Sequence, residues 1–355
     1  MRLIAVISLF LISLPINSGA VLSQVFELPD SPVIYSLDGD EVFIENDGGR
    51  ILRATGNVRL DFEWDGDPWC LSAGELELVE TLDENRIPTG QTAYAEDNIE
   101  IHGPDITFTA PGSLTLNLIA RHMQSDSPDI HIIFPGGDLT TDSLDVTETT
   151  GSDGQSIMTV NTAERTVVNY NLSESDIYSG MENVDRGESV FGSLRFDFST
   201  ITMETESTSL ELVDNRPIRL DCPDTTEVTT STNTLSMPAC TLAFAPPTLT
   251  GDDGVELFIG EDTWVEAGSL ILTYPPDGGM FVQFSGMPDA EPIPERVTIH
   301  NPAGTFSASC ITIEVRQDGT NRIHATGSAS FEIPLTSITG EEDNANQEVS
   351  GTDDD

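Results

Sequence analysis

Along most of this chain, hydrophobic and polar residues alternate with a period of two. In LRATGNVRLDFEW (52–64), Leu52, Ala54, Gly56, Val58, Leu60, Phe62 and Trp64 share one parity, while Arg53, Thr55, Asn57, Arg59, Asp61 and Glu63 share the other. Successive side chains of a strand point to opposite faces, so the pattern predicts a long half-buried strand with its even-numbered residues inward. Ile106 to Leu118 alternates in the same way and predicts a second long strand. Helical periodicity is scarce. Short runs of Val, Ile, Leu, Phe and Thr are separated instead by turn clusters such as DGD (38–40), FPGG (134–137), TGDDG (250–254) and PPDGG (275–279). This spacing predicts an all-β protein with little or no helix, as a sandwich, barrel or jelly roll.

Segments of the chain also repeat. IHGPDITFTA (101–110) matches IHNPAGTFSA (299–308) at six of ten positions, AGELEL (73–78) matches AGSLIL (267–272), and EVFI (41–44) resembles ELFI (256–259). Three matches in one order indicate a duplicated β unit. A smaller motif recurs in SAGELEL (72–78), APGSLTL (110–116) and EAGSLIL (266–272). In the first and third the inward parity switches at the glycine, as a bulge would cause; in the second the additional residue restores the phase. The division expected is a first β unit at 21–140, a divergent middle segment at 141–250, a second β unit at 251–337 and a solvated acidic tail at 338–355.

The first twenty residues, MRLIAVISLFLISLPINSGA, carry one positive charge, an apolar run and small residues at Ser18 and Ala20. They predict an export signal cleaved after Ala20, and they are too short for a membrane span. Charge narrows the function classes further. The chain has 61 acidic residues, 14 basic residues that are all arginine, and a formal charge of −47. No basic stripe exists to neutralise phosphates, which excludes nucleic acid as a partner and disfavours simple electrostatic docking on an anionic membrane. Adaptation to high salt and a specific cation-binding role both fit this balance. Hydrophobic residues make up 37% of the chain, enough for a packed core.

Against this background, ATGNVRL (54–60) followed after a short turn by LSAGELELVE (71–80) resembles the repeat of the OstA-like proteins of lipopolysaccharide transport, in which a TGNV strand precedes an alternating strand containing Ala. AEDNIEIHG (95–103) with TFTAPGSLTL, and ERVTIHN (295–301) with TFSASCITIEV, resemble further turns of that repeat. HATGSASFEI (324–333) resembles a last one, with Ser328 and Ala329 where the family prefers Asn and Val. The family's usual basic residues are missing, and the middle segment has no clear match. The resemblance implies an OstA-like open jelly roll built from duplicated β units and located in the periplasm, with outer-membrane association as one option. It also implies that acyl chains of a lipopolysaccharide-like envelope lipid lie between the sheets, and that like domains pair strands end to end.

On this expectation the lipid-binding stripe is Val58, Leu60, Phe62, Phe108, Leu114, Leu116, Phe306 and Phe331. Ala54 and Gly56, with Ala325 and Gly327, would either widen the interior for a chain or face large side chains in a dry core. The alternative function is a secreted structural or adhesive β-repeat protein without a groove. A carbohydrate-active enzyme would need two facing carboxylates. No GxSxG elbow, HExxH helix or phosphate-cradling loop occurs, so no catalytic residue, metal ligand or cofactor is assigned. His102 and His300, at equivalent repeat positions, are expected to be structural, as are His122 and His131. The acidic clusters SDSPD (125–129) and GDDG (251–254) are expected to be solvated loops. Four cysteines allow three pairings; Cys222 and Cys240 could close a local loop, which would leave Cys70 and Cys310 for each other.

Overall fold

The computed structural model describes residues 24–26, 35–46, 49–64, 66–84, 88–171, 200–231, 233–275, 279–287, 294–302, 304–316 and 321–332. The protein is all-β, with no helix among these residues. The strands begin with β1 (Gln24–Phe26), β2 (Tyr35–Asp38), β3 (Glu41–Asn46), β4 (Gly49–Trp64), β5 (Asp67–Leu82), β6 (Pro88–Glu96), β7 (Ile99–His102), β8 (Thr107–Ala110), β9 (Ser113–Asn117), β10 (His122–Ser125) and β11 (Ile130–Phe134). Then come β12 (Gly137–Thr150), β13 (Ser156–Asn171), β14 (Thr200–Thr205), β15 (Thr208–Val213), β16 (Arg216–Cys222), β17 (Thr226–Thr229), β18 (Asn233–Met237), β19 (Ala239–Phe244) and β20 (Pro247–Asp252). The last are β21 (Val255–Ile259), β22 (Thr263–Ala267), β23 (Ser269–Thr273), β24 (Met280–Ser285), β25 (Val297–Asn301), β26 (Gly304–Ala308), β27 (Cys310–Val315), β28 (Asn321–Thr326) and β29 (Ser330–Glu332).

Two antiparallel layers account for every pairing. In the first the bonded order is β1, β2, β4, β5, β7, β8, β11, β12, β13, β14, β17, β18, β21, β22, β25, β26, β29. In the second it is β3, β4, β5, β6, β9, β10, β12, β13, β15, β16, β19, β20, β23, β24, β27, β28. β4, β5, β12 and β13 belong to both because each bends from one layer into the other. Strands β5, β6, β9, β10, β12, β11, β8 and β7 thereby close an eight-stranded ring. Beyond β13 the layers run on without closing among the described residues, and successive hairpins fall alternately in one and the other.

The small residues mark the bends. In β4, Thr55 pairs with Glu75 and Val58 with Ala73, so Gly56 and Asn57 together face the single residue Gly74. Both turn to positive φ, 71° and 47°, and a Cβ on Gly56 would lie 2.5 Å from the Asp40 carboxylate. TGNV is therefore the corner at which a long strand passes between layers. This corrects the expectation that Gly56 widens the interior. The corners stack along one crease, bonded backbone to backbone: Gly74 N donates to Asp97 O (2.8 Å), Asp97 N to Gly112 O (3.0 Å), and Gly268 N to Ser285 O (2.8 Å). Beside the corners the inward residue is alanine, at Ala54, Ala73, Ala110, Ala267 and Ala308, all buried. Layers that converge at a crease leave room for little more than a methyl group.

The corners also explain the phase changes. Burial passes from Ala73 to Leu76 and from Ala267 to Leu270 across Gly74 and Gly268, the predicted parity switches. Ile106 to Leu118 keeps one phase but is not one strand; Pro111 and Gly112 break it into β8 and β9, in different layers. Its alternation survives because two residues are spent at the corner. Of the three repeat matches, two occupy equivalent places: β7 and β8 correspond to β25 and β26, and the stretches after Gly74 and Gly268 both enter the second layer. EVFI lies in the second layer and ELFI in the first, so that match is not structural. The divisions drawn at 140/141 and 250/251 fall inside β12 and β20. The export signal expected at 1–20, the acidic tail expected at 338–355 and the side chain of Phe331 lie outside the described residues.

Candidate functional site

Strands from both ends of the described chain line the space between the layers. Alternation directs every second side chain into it, from Leu37 and Leu52 at one end to Ile311 and Ile313 at the other, and these residues are buried in one continuous hydrophobic cluster. Of the sequence-predicted stripe, Val58, Leu60, Phe62, Phe108, Leu114 and Leu116 all point into this interior and are at most 3% exposed. Phe306 is partly buried against the cluster near the far end, and its backbone pairs with Phe331. The structure thus brings Val58, Leu60, Phe62, Phe108, Leu114 and Leu116 to one part of the interior but not Phe306, which stands ten strands further along the first layer.

Large rings concentrate away from the crease. Trp64 and Trp69 flank the turn between β4 and β5, with ring centroids 5.3 Å apart; Phe62 lies 5.3 Å from Trp64, and Phe108 stacks 6.4 Å from Trp69. Here two hydrogen bonds join the layers. Trp64 Nε1 donates to Leu118 O (3.2 Å), and the Tyr35 hydroxyl donates to Glu80 Oε1 (2.8 Å). Further along, Tyr170 meets Phe244 edge-on at 4.8 Å across the same margin.

Glu80 was not singled out from the sequence, although the signal was present: it continues the inward series Leu76, Leu78, Glu80, a carboxylate in a core position. It is 1% exposed, accepts from Gln91 Nε2 (2.9 Å) as well as from Tyr35, and its Oε2 lies 3.1 Å from the Arg50 guanidinium in an ion pair. Burial, then the neighbouring Glu80 charge, push the Tyr35 phenol far above its usual range. Four polar groups from β2, β4, β5 and β6 therefore form a cluster across the margin opposite the crease.

At both ends the interior opens. Ile44 on β3 continues the inward phase of Leu52, its cross-strand partner, yet is 44% exposed. At the other end Phe306, Ile323 and Ala325 are only partly buried. Among the described residues β3 bonds only to β4, β28 only to β27 and β29 only to β26, so each end presents strands with one unpaired edge.

Outside the interior the candidates resolve into local structure. His102 Nδ1 bonds Thr107 Oγ1 (3.2 Å) and His300 Nδ1 bonds Thr305 Oγ1 (3.3 Å), the same contact across equivalent hairpins. His122 pairs with Asp145 (2.9 Å), and His131 lies 3.7 Å from Asp138. In SDSPD, Ser125 and Ser127 turn inward to Ser113 O, and Asp126 accepts from Ser143 (2.9 Å). No group of three or more His, Cys, Asp or Glu is arranged to hold a metal ion among the described residues. A polar concavity of about 840 Å³ lies where β13 parts into the two layers, lined by Glu164, Arg165, Glu204, Asp224 and Glu227 among others. Beneath it a chain of buried threonine hydroxyls runs from Thr141 to Thr166 (3.2 Å), Thr162 (2.9 Å) and Thr208 (2.9 Å).

Cys70 and Cys310 are not placed to pair. They stand on β5 and β27, and eleven strands separate these in the second layer. At ~4.8 Å per strand this far exceeds the ~7 Å Cα limit of a disulfide. No protein-family model matches the chain, and no curated protein matches it significantly.

Proposed function

We propose that the protein is an exported envelope bridge: a two-layer β rod that holds acyl chains of a lipopolysaccharide-like amphiphile between its layers and joins like domains through its end strands. One observation carries this. The apolar interior forms one continuous cluster among the described residues, and toward its ends burial falls off, to the exposed Ile44 on one side and the partly buried Phe306 and Ile323 on the other. Hydrocarbon entering there would gain ~25 cal/mol for each Å² removed from water, while an anionic head group left outside meets an acidic surface whose repulsion salt must screen. The periplasmic setting follows from the leader-like first twenty residues and the resemblance to the OstA-like repeat.

The test is lipid capture. The full-length mature chain, held in molar salt and mixed with vesicles containing lipopolysaccharide, is reisolated and its bound lipid measured by mass spectrometry. Bound amphiphile is expected, reduced at least tenfold in Ile44→Asp or Phe306→Asp variants whose melting is unchanged. A well-folded wild type that retains none would overturn the proposal. A second reading, a structural spacer with a dry core, draws on the near-complete burial of Leu60, Phe62, Phe108 and Leu116 and on the cross-layer bonds of Tyr35 and Trp64. It gives end-to-end oligomers without lipid.

A further inference from the structure

We infer that Cys222 and Cys240 are a site of covalent modification: they form a disulfide between neighbouring strands of the second layer that closes the root of one hairpin of the first. The register carries the argument. Cys222 on β16 and Cys240 on β19 are directly opposite partners on neighbouring antiparallel strands, and both side chains point into the interior. Such partners have Cα atoms ~4.5 or ~5.5 Å apart, inside the window of ~4.4 to 6.8 Å that a disulfide spans, so the bond needs no movement of the strands. Neither thiol has an exit to solvent, at 1% and 5% exposure. The contact between the two side chains, ahead of burial, raises the Cys222 thiol.

What the bond would enclose gives it a structural role. Residues 223–239 leave the second layer after β16, form the β17 and β18 hairpin of the first layer, and return to the second at β19. A disulfide at the root makes that excursion a closed loop joining both layers. The chemistry balances with a small-molecule or protein disulfide as oxidant. The thiolate of one cysteine attacks one oxidant sulfur, forming a mixed disulfide and releasing one thiol. The other cysteine loses its proton and attacks the first cysteine's sulfur, releasing the second thiol. Two protein thiols are oxidised and one disulfide is reduced to two thiols. Because both sulfurs are buried, the reaction takes place before β16 and β19 zip together or when they part, and the closed bond is then shielded from reductant.

The test uses the mature chain refolded with glutathione disulfide. Free thiols are alkylated in denaturant, and the chain is cut by an acid-specific protease at Asp224 or Glu227, between the two cysteines; trypsin cannot separate them, since no Lys or Arg lies between Arg219 and Arg296. The expected map joins Cys222 to Cys240 and finds Cys70 and Cys310 alkylated. The oxidised protein should melt about 5–10 °C above the reduced one, a difference absent from a Cys222→Ala/Cys240→Ala double variant. Four alkylated thiols, or any other linkage, would overturn the site. Equal melting of oxidised and reduced wild type would overturn the stabilising closure of this loop.

Discussion

Replacing Glu80 should be among the most damaging single changes in the protein. In Glu80→Ala the Tyr35 hydroxyl and the Gln91 amide each lose this acceptor while 2% and 0% exposed, and each lost buried bond costs ~1–3 kcal/mol. Arg50 also loses its partner, but its side chain is 21% exposed and can reach water, so its share is discounted. The sum is ~3–5 kcal/mol, in the range found when a buried pair is broken on one side. Set against a total stability of ~5–15 kcal/mol, that shifts the melting midpoint by roughly 6–15 °C. Glu80→Gln, which keeps one acceptor oxygen and the volume, should cost about half as much, and Tyr35→Phe ~1–1.5 kcal/mol. Urea unfolding in molar salt, followed by the fluorescence of Trp64 and Trp69, measures all three. A Tyr35/Glu80 double-mutant cycle then isolates their coupling, expected at ~1 kcal/mol or more. A loss below ~1 kcal/mol in Glu80→Ala with unchanged denaturant slope, or zero coupling, would refute the view that this cluster fastens the two layers.

Four further outcomes follow from the same structure. Melting should rise between dilute buffer and ~1 M salt, since −47 charges repel one another; a flat or falling midpoint in differential scanning calorimetry would contradict this. Phe108→Asp should unfold the protein, because Phe108 is 1% exposed and an unpaired carboxylate there costs several kcal/mol; a native circular dichroism melt would mean that the site borders a wet groove. Gly56→Ala should cost ~1–2 kcal/mol in chemical unfolding, from positive φ and the Asp40 contact, and a neutral result would argue against the corner. For Asp61, burial raises the carboxyl but bonds from Arg59, Cys70 and Ser36 outweigh it and hold it low. A depressed folded value stabilises above the unfolded pKa of ~3.9, and that stability is lost as pH falls through the folded value, so an Asp61→Asn variant should lose the matching part of the acid limb.

The alternation made the all-β class and the inward residues legible, because a period of two leaves no choice of face once a strand exists. Leu52 to Trp64 follows this through the bend: two residues at the corner of β4 keep the phase that one residue at Gly74 reverses in β5. A parity switch was therefore readable as a bulge, whereas a conserved phase concealed the break at Pro111 and Gly112. Which layer each strand joins was not legible, since both layers direct the same residue types inward. EVFI and ELFI are alike because both are strands with one buried face, not because they occupy one place. The cross-layer contacts of Tyr35 and Trp64 were also hidden: they depend on side chains 45 and 54 positions from their partners.

The crease bears on what the interior can hold. Alanines and backbone bonds fasten the layers along one side, while the other side is joined by a few replaceable contacts: Tyr35 to Glu80, Trp64 to Leu118, and Tyr170 on Phe244. A stack of backbone hydrogen bonds resists separation cooperatively, but side-chain bonds of ~1 kcal/mol each do not. Any widening of the interior must therefore hinge at the crease and begin at the margin of large rings, where Phe62, Trp64, Trp69 and Phe108 already provide surface that hydrocarbon can match. The two functional readings differ on one quantity, the free energy of parting those contacts against the hydrocarbon area gained. At ~25 cal/mol per Å², covering ~200 Å² of acyl chain yields ~5 kcal/mol, enough to offset several such bonds. A filled interior in the ligand-free chain is thus compatible with a carrier, provided that its closed margin is weaker than its crease.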